Sequence, residues 1–326
     1  MELYVIRQDS QSTQDQKVDQ YTLETAIHVG KLNIRILKAT SQDTKETVAI
    51  KLFPSQKDGT AMHNFFNEER SASQLSHPNI LKYYNFYQEA FVPLGKEKFK
   101  QYSAIVMEYM PFGDLFGVVA QRPFSEKLSR TVFKQILSAI KYLHERNLAH
   151  LDLKLENVLV DPVKGIKVID FDACEQVTSE PKITSHKGSP GYRAPEIAKG
   201  TASNLFAADI YSLGVVLFIM VIGTPPFNEV EKNGKFVYDK FYEVLKTDVK
   251  KFWRAHESYR ENDGRPKLSK SFKEVIEAML KEDPKKRPTA NELERMQWFQ
   301  GETYTPEELK KKLESFFQKK SEAQKE

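Results

Sequence analysis

The apolar residues of this chain change period part-way along it, and that change limits what the chain can fold into. Ile34 and Ile36, then Val48, Ile50 and Leu52, alternate with polar neighbours. Alternation is the period of half-buried strands. Thr40 to Glu46, between them, is polar and turn-like. A helix is expected near Ala61 to Leu75, strands at Ile80 to Tyr87 and Tyr102 to Met107, and a charged turn at Lys96 to Lys100. After Pro111 the period becomes helical: Val132, Phe133, Ile136, Leu137, Ile140 and Leu143 mark one helix over Ser129 to Arg146. Short strands follow around Val158 and at Lys167 to Ile169. Further helices are expected at Ala207 to Ile222, Phe236 to Lys246, Ser271 to Leu280 and Ala290 to Met296. The reading is an α+β fold of two lobes: a small antiparallel sheet lobe with one helix, and a larger, mainly helical lobe. Their boundary is expected near Tyr109 to Gly113. The expected layout is a polar arm at 1–20, lobes at 21–110 and 111–299, and a helical tail at 300–326.

Composition narrows the function classes. The 326 residues carry a net charge of +4, which gives no case for nucleic-acid binding. Cys174 is the single cysteine, so no intramolecular disulfide can form within the chain. Met1 to Ser10 lacks the apolar core of a secretory signal. The longest apolar run, Leu213 to Ile222, is short against the roughly 20 residues of a membrane span. A cytoplasmic or nuclear location is expected, with no membrane span.

The densest chemistry lies in His150-Leu151-Asp152-Leu153-Lys154-Leu155-Glu156-Asn157. The octet resembles the catalytic loop of the eukaryotic protein kinases. Its neighbours extend the resemblance from about Tyr21 to Phe299. Val48-Ala49-Ile50-Lys51 is similar to the strand whose lysine contacts the α- and β-phosphates. Glu68 matches the helix acid that pairs with that lysine, with Glu69 as the competing choice. Asp170-Phe171-Asp172 stands where the family has Asp-Phe-Gly.

What the resemblance implies can be stated residue by residue. Asp152 would orient or deprotonate the acceptor hydroxyl, and Lys154 would neutralise the γ-phosphoryl group. Asn157 and Asp170 would hold Mg²⁺. Ile105 to Met110 would be the adenine hinge, with backbone groups of Glu108 and Met110 on the base and Met107 guarding the back of its pocket. Leu37, Ala49 and Leu159 would sandwich the base, Gly30 would begin the phosphate loop, and Asp114 would face nucleotide or substrate. Gly188 to Glu196 resembles the peptide-positioning loop and the Ala-Pro-Glu motif. Glu196 would pair with Arg287, and Asp209 would tie down the catalytic-loop backbone. The implied activity is ATP-dependent Ser/Thr phosphorylation of proteins, similar to the calcium/calmodulin-dependent group.

Several residues depart from the family pattern. Gly30 is the only glycine of Gly30-Lys31-Leu32-Asn33-Ile34-Arg35, so Leu32 and Arg35 are expected to crowd a phosphate. Asp172 replaces glycine at a position that would be strained if its φ were positive. Leu151 replaces the Arg that pairs with an activation-loop phosphate, so phosphorylation of Thr184 or Ser185 is expected to be dispensable. Ala72 is small and Tyr83 large where the family has the reverse, a swap that keeps volume. These departures also support an alternative, a pseudokinase that serves as a nucleotide-binding or scaffold module. Asp114 and Glu156 match acidic positions that favour an upstream substrate Arg, while a third holds Ile219. Cys174 reads as an inert core residue, the alternative being that it faces the nucleotide. The tail starts Thr305-Pro306-Glu307-Glu308, a helix opening, and Leu309, Leu313, Phe316 and Phe317 share a face. That face either packs back on the large lobe or meets a regulatory partner.

Overall fold

The computed structural model describes residues 17–55, 59–93, 99–178, 187–201, 204–232 and 235–323. Thr184, Ser185, most of the Lys96 to Lys100 turn and nearly all of the 1–20 arm lie outside the described residues. The chain divides into two compact units. One holds the described residues up to Ser73 with Lys82–Tyr109; the other holds Gln74–Leu81 and the residues from Met110 on.

The smaller unit is one antiparallel sheet and a helix. Its strands are β1 (Lys17–Val18), β2 (Tyr21–Val29), β3 (Arg35–Ser41), β4 (Thr47–Pro54), β5 (Tyr83–Pro93) and β6 (Phe99–Glu108), in the spatial order β1-β2-β3-β4-β6-β5. Helix α1 spans Thr60–Ala72. The two sheet faces take different cores. Leu23, Ala39, Ile50, Leu52 and Val106 pack on one face, and Phe53, Phe65 of α1 and Ile105 pack on the other. Strand β5 starts later and runs further than the Ile80 to Tyr87 expectation. Ile80 instead bridges Val168 in the larger unit.

The larger unit is built around a buried helix. It comprises α2 (Leu115–Val119), α3 (Glu126–His144), β7 (Leu148–Ala149), β8 (Val158–Asp161), β9 (Gly165–Val168), β10 (Glu175–Gln176), α4 (Pro195–Ala198) and α5 (Leu205–Ile222). It continues with β11 (Glu229–Lys232), β12 (Lys235–Tyr238), α6 (Lys240–Thr247), α7 (Val249–Asn262), α8 (Lys270–Met279), α9 (Ala290–Arg295) and α10 (Pro306–Ala323). By length and composition α5 could cross a membrane, but all its residues except Phe206 are buried among neighbours, which makes it the core helix of this unit. Asn204 caps its start, accepting from the N–H of Ala207 at 3.0 Å. Gly223 ends it at φ 96, where a Cβ would lie 2.4 Å from Pro123.

Two expectations in this unit need correction. Phe236 to Tyr238 belong to the β11–β12 hairpin, so the helix expected from Phe236 begins only at Lys240. Helix α7 has no counterpart in the sequence reading. Its buried face is Phe252, Trp253, His256 and Arg260, and the last two count as polar in any apolar periodicity. The tail helix α10 packs on this unit: Leu309, Leu313 and Phe316 are buried, Phe316 meets the Phe124 ring and Phe317 meets Phe112.

Candidate active site

In the smaller unit, strand period decides which side chains share a face. Lys51 pairs with Ile105 across β4–β6, and Ala49 with Met107. All four therefore lie on the α1 side of the sheet. Glu68, buried on α1, reaches Lys51 with its Oε2 2.7 Å from Nζ. Lys51 thus pairs with Glu68, and Glu69 is the residue left aside. The Lys51 ammonium also lies 5.2 Å from the Phe53 ring centroid.

Leu37 does not join this group. It pairs with Ile50, so it stands on the opposite face and packs with Ile50 and Val106. The sandwich of Leu37 with Ala49 is thereby corrected. Ile36 and Lys38 are the β3 residues on the Ala49 and Lys51 face, because they pair with Lys51 and Ala49. A one-residue change of frame moves every side chain of a strand to the other face. The frame here is set by the turn that precedes β3. Gly30 begins a short 3₁₀ turn, Lys31–Asn33, closed by the Gly30 N–H donating to the Ile34 carbonyl at 2.8 Å. Leu32 (φ 58) and Asn33 (φ 55) take the left-handed conformations in this turn, and Gly30 does not. At the end of β6, the Glu108 N–H already donates to the Lys82 carbonyl.

In the larger unit the octet forms a tight polar cluster. Lys154 Nζ lies 2.7 Å from Asp152 Oδ2 and 2.9 Å from Ser189 Oγ. Ser189 donates to Asp152 Oδ1 at 2.8 Å. Asn157 Nδ2 donates to the Asp152 carbonyl at 2.8 Å and to Oδ2 at 3.1 Å. Burial pulls the Lys154 ammonium down, but the Asp152 carboxylate, with Asp170 and Glu156 beyond it, outweighs burial and holds its pKa above the ordinary lysine value. Lys154 is therefore a fixed cation at neutral pH.

The backbone beneath this cluster is strained and pinned. Leu151 (φ 63) and Asp170 (φ 68) both lie in the left-handed region. Asp209, fully buried on α5, accepts from the Leu151 N–H at 2.8 Å and the His150 N–H at 2.9 Å. Its Oδ2 also lies 2.9 Å from His144 Nε2. His150 uses both ring nitrogens: Nδ1 accepts from the Asp152 N–H, so Nε2 carries the proton and donates to the Ile169 carbonyl at 3.0 Å. Its ring lies tilted by 49° against Phe171, centroids 5.2 Å apart. The Ile169 N–H donates to the Asn157 carbonyl at 3.0 Å, which sets Asn157 and Asp170 side by side along the backbone.

Asp172 is not a left-handed residue; the strain falls at Asp170, so the cost expected for Asp in place of Gly does not arise. Cys174 is fully buried, which removes the reading that it faces a nucleotide. Gly188 is a position only glycine fills, since its φ is +80 and a Cβ would lie 2.5 Å from the Leu151 carbonyl oxygen. That close approach brings Ser189 onto Asp152. Sequence reasoning missed Ser189; its one signal was a hydroxyl inside Gly188-Ser189-Pro190-Gly191. Glu196 and Arg287 form a bidentate buried pair, at 2.5 and 2.8 Å. Asp114 caps α2 through the Gly117 N–H and bridges Leu159 by backbone, while Met110 is buried nearby in sequence.

The donor set suits Mg²⁺. Asn157 directs its NH₂ to Asp152 and keeps an amide oxygen as a hard donor, and Asp170 adds a carboxylate. Mg²⁺ takes one or two such protein oxygens together with phosphate.

The family model described as the protein kinase domain matches residues 28–299. The SNF-related serine/threonine-protein kinase of Homo sapiens is 33% identical over 267 residues, covering 81% of this chain and 31% of that protein. The Rattus norvegicus protein of the same description is 32% identical over 269 residues, covering 81% of this chain and 32% of its own length. The chain spans about a third of the length of these curated relatives. The match covers most of the chain and fits its α+β fold of a sheet unit and a helical unit, so the chain belongs to the protein kinase domain family.

Proposed function

We propose that this chain is a Ser/Thr protein kinase domain that transfers the γ-phosphoryl group of ATP to protein hydroxyls. The observation that carries the reading is the Asp152–Lys154–Ser189 triangle with Asn157 bonded to its corner. Asp152 accepts from one hydroxyl, that of Ser189, and presents a carboxylate for a second, the acceptor of a substrate. Lys154, held charged beside it, neutralises the transferring group. Lys51, oriented by Glu68, binds the α- and β-phosphates. Asn157 and Asp170 would hold Mg²⁺, which neutralises phosphate charge when bound. Such transfer needs positioning and charge neutralisation more than covalent help.

Among the base-contacting residues, Ala49 and Met107 keep their proposed roles, as do the hinge backbone at Glu108 and Met110, and Leu159. Leu37 is withdrawn. Asp114 and Glu156 give the domain a preference for substrates with an upstream Arg. The pseudokinase alternative gains nothing: Lys51, Glu68, Asp152, Lys154, Asn157 and Asp170 keep their family identities, and Asp172 is unstrained. A cytoplasmic or nuclear setting is part of this proposal.

The test is transfer from radiolabelled ATP to a basic protein mixture with Mg²⁺. Wild type should label the mixture, and Asp152→Asn and Asp170→Ala should abolish labelling. Wild-type protein that transfers nothing, yet is stabilised against heat by ATP, would overturn the enzyme reading in favour of the pseudokinase.

A further inference from the structure

Glu68 is the pivot of the smaller unit's chemistry, and its carboxylate is gripped at both oxygens. Oε2 meets Lys51 at 2.7 Å, and Oε1 accepts from the Tyr83 hydroxyl at 3.1 Å. Tyr83 comes from the start of β5, opposite Met107 of β6. Its ring stacks against Phe86, centroids 5.8 Å apart and planes 8° from parallel. Ala72, one turn beyond Glu68 on α1, is small and buried.

We propose that Tyr83 is a positioning residue, whose hydroxyl fixes the rotation of the Glu68 carboxylate and so holds Lys51 in place for phosphate. The terminal torsion of a glutamate is broad, and a carboxylate held at one oxygen can swing about it. A second hydrogen bond, to the other oxygen, removes that freedom. Phenol suits the task because it donates without adding charge and stays protonated far above neutral pH. The contact between helix and strand at this point is thus polar and directional. The Tyr83–Ala72 exchange does more than conserve volume: the small residue accompanies a large one that reaches the acid.

The claim that Tyr83 acts through Glu68 predicts a thermodynamic cycle. The variants are Tyr83→Phe, Glu68→Gln and the double substitution, with Tyr83→Leu as a second removal of the hydroxyl. Two readouts separate this inference from the proposed function on which its catalytic meaning rests. The first needs no nucleotide: the acetylation rate of Lys51 by an amine-reactive ester, followed by peptide mass spectrometry. Tyr83→Phe should raise that rate about tenfold, the scale of one hydrogen bond to a charged group. In the Glu68→Gln background the same substitution should change nothing further. The second readout is the KM for ATP, which should rise in Tyr83→Phe with a smaller effect on kcat, again only while Glu68 is present. Unchanged Lys51 labelling in both Tyr83 variants overturns the proposal. So do equal effects with and without Glu68, which would mark Tyr83 as ordinary packing. A wild-type protein that transfers no phosphate defeats the kinase reading alone, and the labelling cycle still decides the role of Tyr83.

Discussion

Leu151 and Asp170 are held in left-handed conformations that L-residues adopt only at a cost of about 1–2 kcal/mol each. Strain of this kind persists where surrounding bonds over-determine it. For Leu151 the bonds are those to Asp209, whose two oxygens accept from adjacent N–H groups. Asp209→Asn keeps the shape but turns one acceptor into a donor facing a donor. We expect a loss of about 3 kcal/mol in stability, visible as a lower melting temperature by circular dichroism, with transfer activity falling alongside. His256 makes a separate prediction. It is buried among the rings of Phe218, Phe241 and Phe252. Burial depresses its pKa to about 4, below the ordinary histidine value. The fold therefore favours neutral His256. That contribution is intact above about pH 6.5 and is lost as pH falls towards 4, amounting to about 3 kcal/mol. Urea unfolding at pH 7 and pH 4 should show a smaller acid loss in His256→Phe than in wild type, by that amount.

At the scale of elements, α10 tests how the tail serves the larger unit. Leu313 is almost fully buried, between Leu309 and Phe316 on the same helix face. Leu313→Ala should cost about 2–5 kcal/mol, read from denaturant midpoints. An effect below 1 kcal/mol would mean that the helix leaves this surface in solution. The segment after β10 tests another reading. Leu151 is buried where the family's phosphate-binding Arg would stand, and Lys187 pairs with Glu175 and donates to the Ala173 carbonyl. We propose that this ion pair substitutes for the contact a loop phosphate would make. Thr184→Ala with Ser185→Ala should leave transfer near the wild-type rate, and a loss of about tenfold or more refutes the reading.

How far the sequence disclosed all this differs by element. The octet was legible because each of its side chains has a chemistry with few substitutes. Helix α5 was legible from an unbroken apolar run. Helix α7 was not, because two of its buried positions are His256 and Arg260. Ser189 was hidden because its partner lies 37 residues away and a loop hydroxyl has no period. Leu37 was set on the wrong face because a motif spacing was carried across a turn whose own geometry fixes the frame.

For the whole molecule, the remaining question is what the domain selects. Its net charge of +4 is spread over 49 basic and 45 acidic residues, so no bulk field draws a basic peptide in. Selection must be local. In the larger unit, burial first and the neighbouring Glu156 carboxylate next push the Tyr192 phenol well above its ordinary pKa. Tyr192 Oη lies 3.4 Å from Glu156 Oε2. We propose that Glu156, together with Asp114, takes a guanidinium from a substrate. Glu156 is exposed, so its share is that of a surface ion pair, about 0.2–1 kcal/mol, or up to roughly fivefold in rate. A positional peptide library should show an upstream Arg preference. Glu156→Gln with Asp114→Asn should reduce it about tenfold, and raised salt should reduce it in wild type as well. Asp114→Asn still caps α2 through its amide oxygen, so the paired variant should melt near wild type. A library with no upstream basic preference, in a protein that transfers phosphate, would leave Asp114 to its cap and Glu156 to Tyr192, and substrate choice would then rest on the loop from Gly188 to Arg193.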